Sequence, residues 1–408
     1  VRPAPAILIC NAHSLRNAGD AALLAQSVAG LRAVFDRPQL AVSSNYPDEA
    51  GLGDLGLTPL PSPGALVGAF AGRTPPAQAA ALLRRGLSGD WGELCAAVRR
   101  ADLVLSCPGN PFFSTGRFGW PLLLALIPPW LALRQGKPFY LLPQTLGPFR
   151  RPWEAAGVRA VCRRARRVYV RDALSLRLAQ RWGVERARYV PDLAFALPAA
   201  QDEAACAVLR RWGWQPGRPA LGVSVIPAMS RALPAAALER SYPALAQALG
   251  ELAQRERLQL VFFAQVSGPA VCEDDRRPAR RVLAGLPPGV PAVLVDEALP
   301  AALLKACYAR MDALLAGRLH AGIFAAGAGT PALWIGYLSK TRGVLAALGL
   351  EDWLVPLEAA TVERLRPALA ALWAQRAALR RDWLARLPAL AAQTRLPFAE
   401  LAADWNGR

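Results

Sequence analysis

Short β-type runs alternate with longer stretches of helical period along most of the chain, which restricts the fold to parallel sheets joined by crossover helices. In the first half the spacing predicts strands near Ala6–Cys10, Gln39–Ser44, Asp102–Cys107, Pro138–Pro143 and Arg167–Arg171, with helices such as Asp20–Phe35 and Ala173–Trp182 between them. The Gly- and Pro-rich region Pro47–Ser88 reads as a long insertion with little regular structure. A second series follows Trp212-Gly-Trp-Gln-Pro-Gly217, with strands near Ala220–Ile226, Leu258–Gln265, Ala292–Val295, Asp312–Ala316 and Pro331–Gly336 and a helical end beyond Glu358. At 408 residues and 53% hydrophobic, the chain is long and apolar enough for two such cores. The expectation is an α/β protein of two Rossmann-like domains, residues 1–198 and 199–408, facing a cleft. Ligands of such sheets sit outside the carboxyl ends of the strands.

The net charge is +18, from 48 basic against 30 acidic residues, but only Lys137, Lys305 and Lys340 are lysines. Abundant Arg, Ala and Pro with so little Lys is what a GC-rich coding sequence produces. No RNP, zinc-finger or helix-turn-helix pattern accompanies it, so nucleic acid is not the expected partner. A positive surface still suits anionic substrates or an anionic membrane leaflet. The seven cysteines are scattered and never spaced CxxC, which fits reduced, buried thiols and no metal site. Ala6–Cys10 is too short an apolar run for a signal peptide, and Pro121, Pro128 and Pro129 interrupt Phe118–Leu133, which therefore reads as a core helix. A cytoplasmic protein is expected, with reversible contact to the inner membrane face.

Only two histidines occur, His13 and His320. His320 stands in Ala316-Gly-Arg-Leu-His320, directly after a strand and at the start of a helical run. A strand end, a glycine turn, Arg318 and a helix N-terminus together make an anion site, where imidazole can act as acid or base. Lys340, in the loop after the next strand, can approach the same crevice or be an ordinary solvated lysine. After the first strand, Asp20 suits a helix N-cap with Gly19 permitting a tight turn, while an acceptor-contacting loop would also explain Asn17 and His13. Further strand-end loops carry Cys107-Pro-Gly-Asn110, Gln144 in Pro143-Gln-Thr-Leu-Gly-Pro148, and Arg171-Asp-Ala-Leu-Ser175. Arg171 there is poised to face a ligand, with Asp172 in the helix's first turn, and Asp192 again ends a strand. Walker A, HExxH and GxSxG patterns are absent.

Taken in order, Asn17-Ala-Gly-Asp20, Gln144-Thr-Leu-Gly-Pro148, Arg171-Asp-Ala-Leu-Ser175, Pro191-Asp-Leu-Ala-Phe195, Gly317-Arg-Leu-His-Ala321 and Tyr337-Leu-Ser-Lys340 resemble the polysaccharide pyruvyl transferase family, from about Ile7 to Lys340. The resemblance implies a GT-B-like fold and transfer of the enolpyruvyl unit of phosphoenolpyruvate to a saccharide, free or lipid-linked, as a cyclic ketal. It implies that Arg318, the Leu319 backbone and His320 hold phosphoenolpyruvate, with Arg171 a further anion ligand. Lys340, Asn17, Asp20 and Gln144 are counted among the substrate-binding positions. His320 is the candidate acid/base, with Asp172 or Asp192 as partner, and the scheme needs no cofactor and no metal. The chain departs from the family at Ser106-Cys-Pro-Gly-Asn110 and at Ile226-Pro227, where Arg231 is a candidate substitute for a missing arginine. Two alternatives stay open, a GT-B glycosyltransferase using a nucleotide sugar and a non-catalytic envelope-assembly protein.

Overall fold

The computed structural model describes residues 3–69, 75–114, 119–227 and 235–407. The chain forms two compact units, one of residues 1–15, 23–193 and 393–408, the other of residues 16–22 and 194–392.

Among the described residues unit 1 holds eight strands: β1 (Ala6–Ala12), β2 (Gln39–Ser44), β3 (Thr58–Pro61), β4 (Leu103–Ser106), β5 (Gly109–Phe112), β6 (Phe139–Leu146), β7 (Arg167–Val170) and β8 (Ala187–Tyr189). They run in the order β3-β2-β1-β4-β6-β7-β8, with β5 paired to β6, and every pairing is parallel. A parallel sheet is covered by helices on both faces, so its central strands are buried: all eight residues of β6 are, Gln144 and Thr145 included. The insertion expected to be irregular is partly ordered. Leu52, Leu57 and Leu60 bury their side chains, and β3 extends the sheet edge in parallel with β2.

Unit 2 holds β9 (Ala220–Ser224), β10 (Gln259–Phe263), β11 (Ala292–Val295), β12 (Ala313–Ala316), β13 (Ala332–Gly336) and β14 (Leu354–Pro356) in the parallel order β11-β10-β9-β12-β13-β14. Strand order reverses between β9 and β12, and in unit 1 between β1 and β4, the points at which such sheets open a crevice.

The chain passes from unit 1 to unit 2 between residues 193 and 194, and it crosses between the units more than once. The final helix, Leu396–Asn406, groups with unit 1 because Phe398 and Leu401 are buried and its carboxylates serve that sheet. Arg167 donates from Nε to Asp404 at 2.7 Å and from Nη1 to Glu400 at 3.1 Å, and the Tyr169 hydroxyl reaches Glu400 at 2.5 Å. The helix Trp120–Arg134 packs on the core as read from sequence, but along one face only. Leu122 and Leu126 face inward, while Trp120, Leu123 and Trp130 stay exposed; Phe118 lies outside the described residues. Among the described residues no helix is long and apolar enough to cross a membrane.

Candidate functional site

In unit 2 the chain leaves β12 through Gly317, whose N–H donates to the Ser224 carbonyl at the end of β9, 2.8 Å away. A Cβ on Gly317 would stand 2.6 Å from that same oxygen, so only glycine lets the turn lie against the neighbouring strand. Arg318 follows as the N-cap of the helix Leu319–Ala326, in extended conformation with φ −103° and ψ 139°. The helix ladder begins with Gly322 N–H donating to the Arg318 carbonyl, leaving the N–H groups of the first turn outside it. Guanidinium, helix N-terminus and switch point therefore coincide.

The Arg318 side chain is only 12% exposed and grips Asp275 with two nitrogens, Nη2 at 2.6 Å and Nε at 3.1 Å from Oδ1. Burial works against its charge, but the carboxylate of Asp275 and a hydrogen bond with Tyr337 more than offset this and hold the guanidinium cationic. Asp275 is itself fixed by the Val266 N–H, which donates to Oδ2 at 3.0 Å. Asp275 and Gln265 escaped the sequence reading, which looked at β12 and not at the loop after β10. The paired acids Asp274-Asp275 beside Arg276-Arg277 were the available signal, masked by an apparent surface charge cluster. Gln265 is buried, its Oε1 accepts from the Tyr308 hydroxyl at 2.9 Å, and its Nε2 has no partner among the described residues. The Ser224 hydroxyl at the end of β9 is likewise buried and without one.

Residues 16–22 dock on this unit. Asn17 bridges Val266, Ala18 N–H donates to the Gln265 carbonyl at 3.0 Å, and Ser267 N–H donates to the Arg16 carbonyl at 3.0 Å. Asn17, not Asp20, is the N-cap of the helix Ala18–Val34: its Oδ1 accepts from Gly19 N–H at 3.0 Å. Asp20 accepts from Asn17 Nδ2 at 2.8 Å and completes a reciprocal cap. A Cβ on Gly19 would stand 2.1 Å from Nδ1 of His320. Gly19 thus serves a close approach rather than a turn, and it seats the imidazole of His320, which is 9% exposed and also packs on Phe324. Lys340 lies in the first turn of the helix Ser339–Leu348, not in a loop, one strand along from Arg318.

The other anticipated residues lie in unit 1. Arg171, 1% exposed, pairs with Asp192 at 2.6 Å and donates to Thr145 at 3.1 Å, because an arginine buried at a strand end needs a counter-ion. Asp172 caps the helix Ala173–Arg181, accepting from the N–H and hydroxyl of Ser175, both at 2.7 Å. Gln144 is buried in β6 with Nε2 donating to Ser106 at 2.6 Å and to the Cys107 carbonyl at 2.9 Å. His13 stacks on Tyr46 with ring centroids 5.6 Å apart. Arg231 lies outside the described residues.

A profile of the polysaccharide pyruvyl transferase family matches residues 17–339. No curated protein sequence matches the chain. Solved structures share the fold. The UDP-GlcNAc 2-epimerase of Methanocaldococcus jannaschii has a TM-score of 0.57 at 12% identity, covering 90% of this chain and 92% of its own. The Staphylococcus aureus MnaA structure with UDP has a TM-score of 0.56 at 13% identity, covering 90% and 87%. The Streptomyces sp. SF2575 glycosyltransferase SsfS6 has a TM-score of 0.51 at 16% identity, covering 96% and 99%.

Proposed function

Because the chain belongs to the polysaccharide pyruvyl transferase family and is a transferase of polysaccharide modification, we propose that unit 2 binds phosphoenolpyruvate at Arg318–His320 and passes its pyruvyl group to two hydroxyls of a saccharide. The observation that carries the reading is the meeting of a buried, Asp275-oriented guanidinium, a helix N-terminus and an imidazole at the β9/β12 switch point.

Phosphoenolpyruvate carries a phosphate and a carboxylate a few atoms apart. The first-turn N–H groups of Leu319 and His320 and the Arg318 guanidinium offer charge-assisted donors to one oxyanion or both. Ser224 and Gln265 add neutral donors at the adjoining strand ends. In the reaction His320 delivers a proton to the methylene carbon, the enol carbon becomes electrophilic, and a sugar hydroxyl adds to it. A second hydroxyl replaces the phosphate. One hydroxyl proton replenishes His320 and the other leaves with inorganic phosphate, so the products are the methyl-bearing ketal and phosphate. Asp172 and Asp192 take no proton in this scheme, since their oxygens already serve Ser175 and Arg171.

Calorimetric titration with phosphoenolpyruvate and phosphate release with an acceptor sugar test it. Arg318→Ala removes a contact worth roughly 1.5–3 kcal/mol, so the donor should bind at least about tenfold more weakly. His320→Asn should leave donor binding nearly intact and slow the chemical step by roughly 10²–10⁴-fold. Wild-type protein that binds a nucleotide sugar and not phosphoenolpyruvate would overturn the reading in favour of glycosyl transfer.

A further inference from the structure

We infer that the exposed face of the helix Trp120–Arg134, together with the helix Pro152–Arg164 beside it, is a docking surface for an anionic phospholipid membrane. Trp120, Leu123, Trp130 and Arg134 recur at helical spacing and define one stripe, interrupted by Ile127, which is partly buried against the core. Trp120, Leu123 and Trp130 on the stripe are 39%, 38% and 39% exposed, and exposed large apolar side chains are few among the described residues.

The second helix runs alongside in the same direction. A Cβ on Gly119 would lie 2.7 Å from Trp153, and one on Gly157 would lie 3.0 Å from Leu126. At the far end the Arg164 guanidinium sits over the Trp130 ring, 5.7 Å from its centroid. Trp153, 40% exposed, therefore joins Trp120 at one end of the patch while arginines crowd the other. Ten residues separate Trp120 from Trp130, about 15 Å along the axis. The tryptophans thus form a shallow band rather than a spanning segment.

Charge decides the occupant. From Gly119 to Arg164 the chain carries seven basic residues and one acid, Glu154, while Arg166 and Arg167, which follow, are paired with Asp404 and Glu400. Glu154 is buried and already bound by Ser114 and Arg151. Arg134, Arg159, Arg163 and Arg164 are exposed. A second copy of the chain would bring the same arginines against themselves, whereas anionic headgroups complement them. Indole rings with exposed apolar edges and arginines with apolar stems are the side chains that settle at the headgroup level.

The test is co-sedimentation of the full chain with vesicles of phosphatidylcholine alone and of phosphatidylcholine with one-third phosphatidylglycerol. Wild-type protein should pellet with the second and not the first, and high salt should release part of it, since screening shortens to about 3 Å at 1 M. Trp120→Ser with Trp130→Ser, and separately Arg134→Gln with Arg163→Gln, should each weaken binding by about tenfold or more. Both pairs should keep the wild-type melting temperature and far-ultraviolet circular dichroism, which report that the chain is folded. Absence of binding to anionic vesicles, equal binding to neutral ones, or binding unchanged in the folded variants would overturn the inference. So would a lipid-free dimer, seen by sedimentation equilibrium, that the tryptophan substitutions dissociate, because the patch would then be covered by a second copy.

Discussion

Gly19 is the residue at which sequence and site chemistry meet most tightly. As the second residue of a helix it would ordinarily gain stability on replacement by alanine, since glycine is about 0.5–1 kcal/mol worse in a helix. Here the new methyl would fall 2.1 Å from His320 Nδ1, and one of the two must move. Gly19→Ala should therefore lower the melting temperature, since overpacking a buried site costs about 1–3 kcal/mol, and, on the proposed role of His320, cut phosphate release by about 10²-fold, the cost of displacing a reacting group by an ångström. A variant with wild-type turnover would show that the ring's position is unimportant. The glycine could be read as a turn residue from sequence, but its opposite number, three hundred residues away, could not.

Elements are held by partners that local sequence does not advertise. Phe398, on the last helix, is buried against Gly30, where a Cβ would stand 2.4 Å from the ring. Phe398→Ala should destabilise unit 1 by about 3–5 kcal/mol in urea unfolding, and a small loss would mean the helix contributes little there. Lys305 illustrates the same point with charge. Its ammonium is buried in the helix Ala301–Ala309 and donates to the carbonyls of Leu197 at 2.6 Å and Phe195 at 3.3 Å, pinning the segment that enters unit 2. Burial lowers its pKa to about 8. A lysine whose folded pKa is depressed costs stability below that pKa, and the cost is relieved as pH rises from about 8 toward the unfolded value. Relative to Lys305→Met, wild-type protein should gain about 2 kcal/mol between pH 7 and 10 in matched urea titrations. A constant difference would argue that the ammonium stays fully protonated across that range.

At the scale of the whole molecule, the chain contributes to its two units out of sequence order, and ligand binding should reveal it. Hydrogen exchange with and without phosphoenolpyruvate should show slowed amides at 317–322 and at 16–22, although the latter lie near the start of the chain. The strands β6 and β7, with Arg171 paired to Asp192, should exchange unchanged at their centres. Protection confined to unit 1 would relocate the donor and contradict the assignment to Arg318 and His320.

Alternation of apolar runs with helical periods was enough to specify parallel sheets, and the Gly-Arg-Leu-His run after a strand to single out Arg318 and His320 as candidates, because both signals are encoded within about thirty contiguous residues. What neighbours them was decided only by tertiary structure. Asp275 orients Arg318 from a loop forty-three positions upstream, Gly19 seats His320 from the first tenth of the chain, and Asp192 neutralises an arginine that looked available in isolation. Likewise, the apolar run after Gly119 is hydrophobic enough to read as core, yet which of its faces stays outside depends on how much of it the parallel helix Pro152–Arg164 covers. Local sequence sets periodicity, caps and intrinsic charge. Counter-ions, close approaches and exposed faces depend on which distant segments the sheet order brings together, and no single window of sequence contains that information.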